Sequence, residues 1–181
     1  MKLYFIALLA PPVIADQVLQ WKNDMHFKYG CRAALKSPAH ITLIPPFNAN
    51  QAEELKLLEF LEEFTQQQPA MEVSVNGFGI FGRRTIFLAV EKNKPLEILY
   101  QLLSSLFYHE FPTKGKTTGL NFHPHITIAN RDIPPAKFDE AFARFSYISY
   151  KAQCPLNDIS LLRLDPGKWT TLKSFPFQTS C

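Results

Sequence analysis

Two short stretches of the chain hold the residues best suited to chemistry. They are His40-Ile41-Thr42-Leu43 and, 85 residues further on (40 to 125), His125-Ile126-Thr127-Ile128. In an extended chain the side chains alternate between faces, so each His shares a face with its Thr while the aliphatic pair points the other way. The aliphatic pair demands a core, and each stretch therefore presents one imidazole and one hydroxyl on the opposite side. Brought to one cleft, the two sets would supply a neutral imidazole to take a proton and a protonated one to give one. Two hydroxyls would be there to hydrogen-bond the non-bridging oxygens of a phosphate. Histidine suits both roles because its unperturbed pKa, about 6.5, lets both forms coexist near neutrality. Such a set fits a phosphodiester or cyclic phosphate and asks for no metal and no other cofactor. One His-x-Thr in a strand is ordinary, since Thr favours strands and a buried His often only bonds a backbone carbonyl. Two in matching surroundings are not.

Those surroundings repeat. Leu3 to Leu9 is short, apolar and aromatic, as a strand buried on both faces would be. Behind Pro11-Pro12, residues Val13, Ile14, Gln17, Val18 and Trp21 follow at helical spacing. In the second half Thr85 to Val90 predicts a strand, and Pro95 opens a helix with Leu96, Leu99, Leu102, Leu103 and Leu106. The second motif lies in a strand expected over Phe122 to Ala129. A Pro-Pro pair and a further helix follow each motif. The first of these helices covers about Gln51 to Gln67, with Leu55, Leu58, Leu61 and Phe64 as its stripe; the second covers about Pro135 to Phe145, with Phe138, Phe142 and Phe145. More strands are expected at Met71 to Phe78, Tyr147 to Cys154, Asn157 to Leu164 and Phe175 to Gln178. The pattern predicts an α+β (α/β) fold, bilobal and duplicated, with two pseudo-symmetric sheet-plus-helix lobes around a central cleft. It would be a single domain, residues 1–181, with lobes of about 1–80 and 81–181 and terminal strands exchanged between them.

Composition narrows the function. Of 181 residues 46% are apolar and 19% charged, which is globular and not disordered. A net charge of +3 permits an anionic ligand but lacks the density of a protein that coats duplex DNA. No stretch approaches the roughly 18 apolar residues of a membrane span, so no membrane partner is expected. Pro11-Pro12 interrupts the apolar start, which favours a first strand over a secretion signal. Cys31, Cys154 and Cys181 form no CxxC pair, and the odd count speaks against a disulfide framework. Reduced thiols in a cytoplasmic protein, and a monomer, are the expectation.

Further residues are candidates for holding substrate. Arg131 follows the second motif closely and ranks ahead of Arg32 and Arg163 as a guanidinium fork for phosphate. Tyr4 and Phe47 are expected to flank the cleft, where a base could stack. Lys114 and Lys116 belong to a basic loop, residues 112–119, that could close over a phosphate or RNA strand. Its Gly115-Lys116-Thr117 mimics the tail of a P-loop, but Glu110 stands where that motif requires Gly. His123 would share a face with His125, yet Pro124 between them and the lack of a nearby Cys or carboxylate argue against a zinc site.

At these residues the chain resembles the two-histidine phosphoesterases, the 2′-5′ RNA ligase-like or LigT-like superfamily. Their signature is a pair of His-x-Thr/Ser-apolar motifs roughly 80 residues apart in a bilobal duplicated fold. The likeness also takes in the opening Tyr4-Phe5-Ile6-Ala7-Leu8-Leu9-Ala10-Pro11-Pro12, Pro45-Pro46-Phe47, and the closing stretch from Leu161 to Trp169. It implies that His40 and His125 form the acid–base pair and that Thr42 and Thr127 grip phosphate. It implies a small nucleotide or RNA end as substrate, with a 2′,3′-cyclic phosphate or a 2′-5′ linkage as the bond attacked. Two alternatives stay open at this point: a nucleotide- or RNA-binding module without turnover, and a 2′-5′ RNA ligase running the reverse reaction.

Overall fold

The computed structural model describes residues 1–115 and 122–178. Its twelve main elements among those residues are β1 (Lys2–Leu9), α1 (Pro12–Tyr29), β2 (His40–Ala49), α2 (Gln51–Thr65), β3 (Met71–Phe81), β4 (Thr85–Val90), α3 (Lys94–Glu110), β5 (His125–Asn130), α4 (Phe138–Ser146), β6 (Lys151–Leu156), β7 (Asp158–Asp165) and β8 (Lys168–Pro176). The strands form one curled antiparallel sheet in the order β6-β3-β4-β5-β2-β1-β7-β8. Its two four-stranded halves meet where β2 and β5, the two motif strands, touch through the single pair Ile41 and Ile126. Chain order and spatial order part company at the ends. Strand β6 lies beside β3, while β7 returns to lie beside β1 with β8 outside it.

Alternation along β1 shows how the sheet is covered. Tyr4, Ile6 and Leu8 join one large core with the buried residues of all four helices, among them Ile14, Leu57, Leu103 and Phe138. Phe5 and Ala7 point the other way and pack with Leu162, Leu9 and Trp169. Helices thus cover one face and leave the other for the site. Ile41, Leu43, Ile126 and Ile128 all lie in the helix-side core, as their apolar character demands. Trp21 of α1 anchors that side, with Phe78 and Tyr150 edge-on at 4.9 and 5.0 Å between ring centres, contacts of about 1 kcal/mol each.

Several elements differ from the sequence expectation for local reasons. Helix α2 turns Leu57, Leu61 and Phe64 inward and leaves Leu55 exposed, because the Asn50–Glu53 capping box fixes where the first turn begins. Helix α3 buries Leu96, Leu99, Leu103 and Phe107 while Leu102 and Leu106 stay on the outer side. Strand β5 starts at His125 and not at Phe122, since Pro124 has no N–H to pair. Strand β8 begins at Lys168 and not at Phe175; it is an edge strand with mostly polar, exposed residues, which carry no apolar signal. Among the described residues no helix is long and apolar enough to cross a membrane.

Candidate active site

On the face away from the helices, His40 and Thr42 of β2 and His125 and Thr127 of β5 line one cleft of about 380 Å³. Its walls are completed by Phe5, Ala33, Ala34, Ser37, Pro45, Pro46, Asn130 and Trp169. The two imidazoles are held alike. His40 Nδ1 lies 2.8 Å from the carbonyl oxygen of Pro38, and His125 Nδ1 lies 2.8 Å from that of His123. A carbonyl only accepts, so Nδ1 is the protonated nitrogen in both rings and Nε2 is the basic one. Each ring also rests on a phenylalanine: Phe5 at 4.8 Å from His40, Phe87 at 5.2 Å from His125.

The electrostatics favour neutral rings. Burial lowers His40 to about 4, and the Lys22 ammonium and His125 act in the same direction against the Pro38 carbonyl. Burial also lowers His125, with His123 adding to it and the His123 carbonyl opposing. Lys22 reaches this region from α1. Only 3% exposed, its Nζ donates to the Ser37 carbonyl at 2.9 Å, and burial brings it down to about 8. Ser37 lines the cleft and the next carbonyl, that of Pro38, fixes His40. One short segment thus links the buried amine to the catalytic candidate.

A second device was not visible in the sequence. Between β1 and β2 the register slips so that Ile6 faces Ile44 and Ala7 faces Thr42, with Leu43 between. Between β4 and β5 it slips so that Ile86 faces Ala129 and Phe87 faces Thr127, with Ile128 between. Both motifs therefore carry a bulge three residues after the His. An extra residue in a strand re-aims the side chains beyond it. Hence Pro45 and Asn130, each five residues after its His, line the cleft.

The bulge corrects the ranking of Arg131. Asn130 takes the cleft-facing place; Arg131 adopts φ 70°, donates its backbone N–H to Arg84, and is exposed outside the cleft lining. Arg32 is exposed as well and meets Asp132 through its backbone N–H at 2.5 Å; with the Ala33 N–H at 2.7 Å, this ties the turn at Ala33 and Ala34 to the end of β5. Tyr4 and Phe47 do not flank the cleft. They sit on the helix side of the sheet, where Phe47 packs on Phe107 and the Tyr4 hydroxyl donates to Glu54. The aromatic cleft residues are Phe5 and Trp169, 4.6 Å apart and edge-on. The continuous apolar run of β1 carries no signal that separates Phe5 from Tyr4. Arg163 is engaged by Glu54 and Asp165. Lys114 is paired with Glu53 at 2.5 Å and stands outside the lining. Lys116, the rest of the basic loop to residue 119 and Cys181 lie outside the described residues. His123 is exposed and contributes its carbonyl, with its ring against Phe81 and Phe87. No group of three or more His, Cys, Asp or Glu residues is placed to hold a metal among the described residues.

Gly79 offers a test of this packing. A Cβ there would lie 2.5 Å from the Phe87 ring, which is buried and supports His125. Gly79→Ala is expected to cost about 1–3 kcal/mol in urea denaturation and to slow turnover, because the ring under His125 must move. Unchanged stability would show that Phe87 is free to yield.

The fold and cleft define a class. The model of the 2′-5′ RNA ligase superfamily matches residues 10–168, and the chain belongs to that family. Among curated relatives, a candidate phosphoesterase of Geobacillus kaustophilus is 31% identical over 176 residues, covering 95% of this chain and 94% of that protein. The fold is shared with TT0787 of Thermus thermophilus (TM-score 0.67, 20% identity, 100% of both chains). It is shared also with LigT of E. coli in complex with ATP (TM-score 0.67, 21% identity, 98% of both chains).

Proposed function

We propose that this protein is a phosphoesterase that cleaves 2′,3′-cyclic phosphates or 2′-5′ phosphodiester bonds of nucleotides or RNA ends, with His40 and His125 as acid and base and without need of a metal. The observation that carries the reading is the duplicated geometry: two His-x-Thr sets on one cleft, each ring pinned through Nδ1 by the carbonyl two residues before it. Pinning leaves both Nε2 atoms for proton transfer and removes the cost of orienting them at the moment of reaction. A 2′,3′-cyclic phosphate would place its non-bridging oxygens on Thr42 and Thr127. One neutral imidazole takes the proton of water as the new P–O bond forms. The other, protonated, gives its proton to the ribose oxygen as the old P–O bond breaks.

The environments support a division of roles. His40, deeper and beside the Lys22 ammonium, is the base; His125, nearer solvent, is the acid. LigT has been solved with ATP and with 3′-AMP, which is in keeping with a small nucleotide in a cleft of this kind.

Hydrolysis of 2′,3′-cyclic nucleotides and 2′-5′ dinucleotides with EDTA present is the direct test. Ligand binding without product would mark a binding module, and sealing of cleaved RNA ends would mark a ligase. The pH profile gives a sharper check. The base is free above about 4, and an acid lowered by burial loses its proton below 6.5. Accordingly kcat/KM should follow a bell with its maximum between pH 4 and 6.5, while a bound phosphate moves the kcat bell upward. A kcat/KM maximum above pH 7 would refute this assignment.

A further inference from the structure

We infer that Asn130 is a third neutral donor to the substrate phosphate, and that with it the cleft selects a phosphate of one negative charge, a diester or cyclic phosphate, over a doubly charged monoester. The inference deepens the phosphoesterase reading and rests on it. Three observations converge. The bulge at Ile128 brings Asn130 onto the face of His125 and Thr127, where it lines the cleft. Thr85 Oγ1 donates to Asn130 Oδ1 at 2.9 Å, which turns the amide oxygen toward β4 and leaves the two N–H bonds of Nδ2 for a ligand. Among the described residues, no Lys or Arg lines the cleft. The nearest buried cation, Lys22, is spent on the Ser37 carbonyl behind the wall.

With both imidazoles neutral, as burial favours, phosphate binding among the described residues therefore depends on Thr42, Thr127 and the amide of Asn130, all uncharged. Neutral donors compensate the desolvation of a single negative charge far better than that of two, for which a guanidinium or ammonium is the usual partner. A phosphate monoester carries close to two charges once its second proton leaves near pH 6. Above about pH 6 the product of cyclic phosphate opening is such a monoester, so there a cleft of this make-up holds substrate and lets product go.

The test compares a nucleoside 2′,3′-cyclic phosphate with the matching nucleoside 2′-monophosphate at pH 8. Binding is measured by calorimetry in a His125→Ala background, and turnover separately with both histidines present. The background protein should bind the cyclic ligand at least tenfold more tightly than the monophosphate. Asn130→Ala should weaken the cyclic ligand about tenfold. Asn130→Asp, which can still accept from Thr85, should weaken it a hundredfold. Asn130→Arg should move the preference toward the monophosphate, and Thr85→Val should fall between the native residue and Asn130→Ala. Affinities for the cyclic ligand within twofold across the Asn130 series, or a native preference for the monophosphate, would overturn the inference. If the unsubstituted protein turns over neither cyclic phosphate nor 2′-5′ diester, the phosphoesterase reading fails, and the binding series still decides on Asn130.

Discussion

His40→Ala and His125→Ala are each expected to lower kcat on a 2′,3′-cyclic nucleotide by about 10³-fold, within the 10²–10⁴ range that a positioned acid or base supplies. Combining them should cost little more than either alone, because a proton relay missing one member has already lost the function of the other. Thr42→Val and Thr127→Val should cost less, since each removes one hydrogen bond to phosphate and leaves proton transfer in place. Stability separates lost chemistry from lost structure. The unfolded chain protonates His40 near 6.5 and the folded chain near 4, so between those values the unfolded state binds more protons. Stability tied to the neutral ring is complete above 6.5 and is lost as pH falls through 4. With partial exposure discounted it amounts to about 2 kcal/mol. His40→Ala should therefore unfold normally at pH 7 and resist acid better than the native chain. A variant that keeps full turnover would refute the shared role, and one already unfolded at pH 7 would show that the ring is needed for packing.

The motif pairs, their apolar backing and the duplicated order of elements were legible because they depend on local pattern. Ile41, Leu43, Ile126 and Ile128 had to face a core, and that alone sets His40, Thr42, His125 and Thr127 on the opposite side. What was hidden depends on register. A bulge leaves no mark in the identity of Leu43 or Ile128, yet it decides that Asn130 and not a following guanidinium reaches the cleft. Tyr4 and Phe5 differ by one residue and so by one face, a distinction that apolar character cannot make in a strand buried on both sides. Trp169 was obscured because β8 is an edge strand with few apolar neighbours in sequence. By sequence, Lys22 is one more charge on a helix. Only the packing of α1 against the motif strands buries it.

Lys22→Met is expected to raise stability and lower activity at once. The buried ammonium is penalised by the shift from 10.5 to about 8, roughly 3 kcal/mol at pH 7 before its hydrogen bond to Ser37 is credited. Met preserves much of the volume, gives up that hydrogen bond and leaves the Ser37 carbonyl without a donor. The balance is a gain of about 1–2 kcal/mol in urea denaturation at pH 7. The gain should shrink at alkaline pH. Between about 8 and 10.5 the unfolded chain holds a proton on Lys22 that the folded chain has shed, so native stability rises with pH there while that of the variant does not. Activity should move the other way. Without the amine the Ser37–Pro38 segment loses its tether, and Pro38 is what fixes the His40 tautomer. A drop in kcat of about tenfold is expected from the looser ring. Loss of the nearby positive charge should also raise the His40 pKa, moving the acid limb of kcat/KM upward. Lower stability with an unmoved acid limb would mean that Lys22 only holds a loop. A higher Tm joined to a displaced limb would identify it as a strained support that trades stability for a base kept neutral.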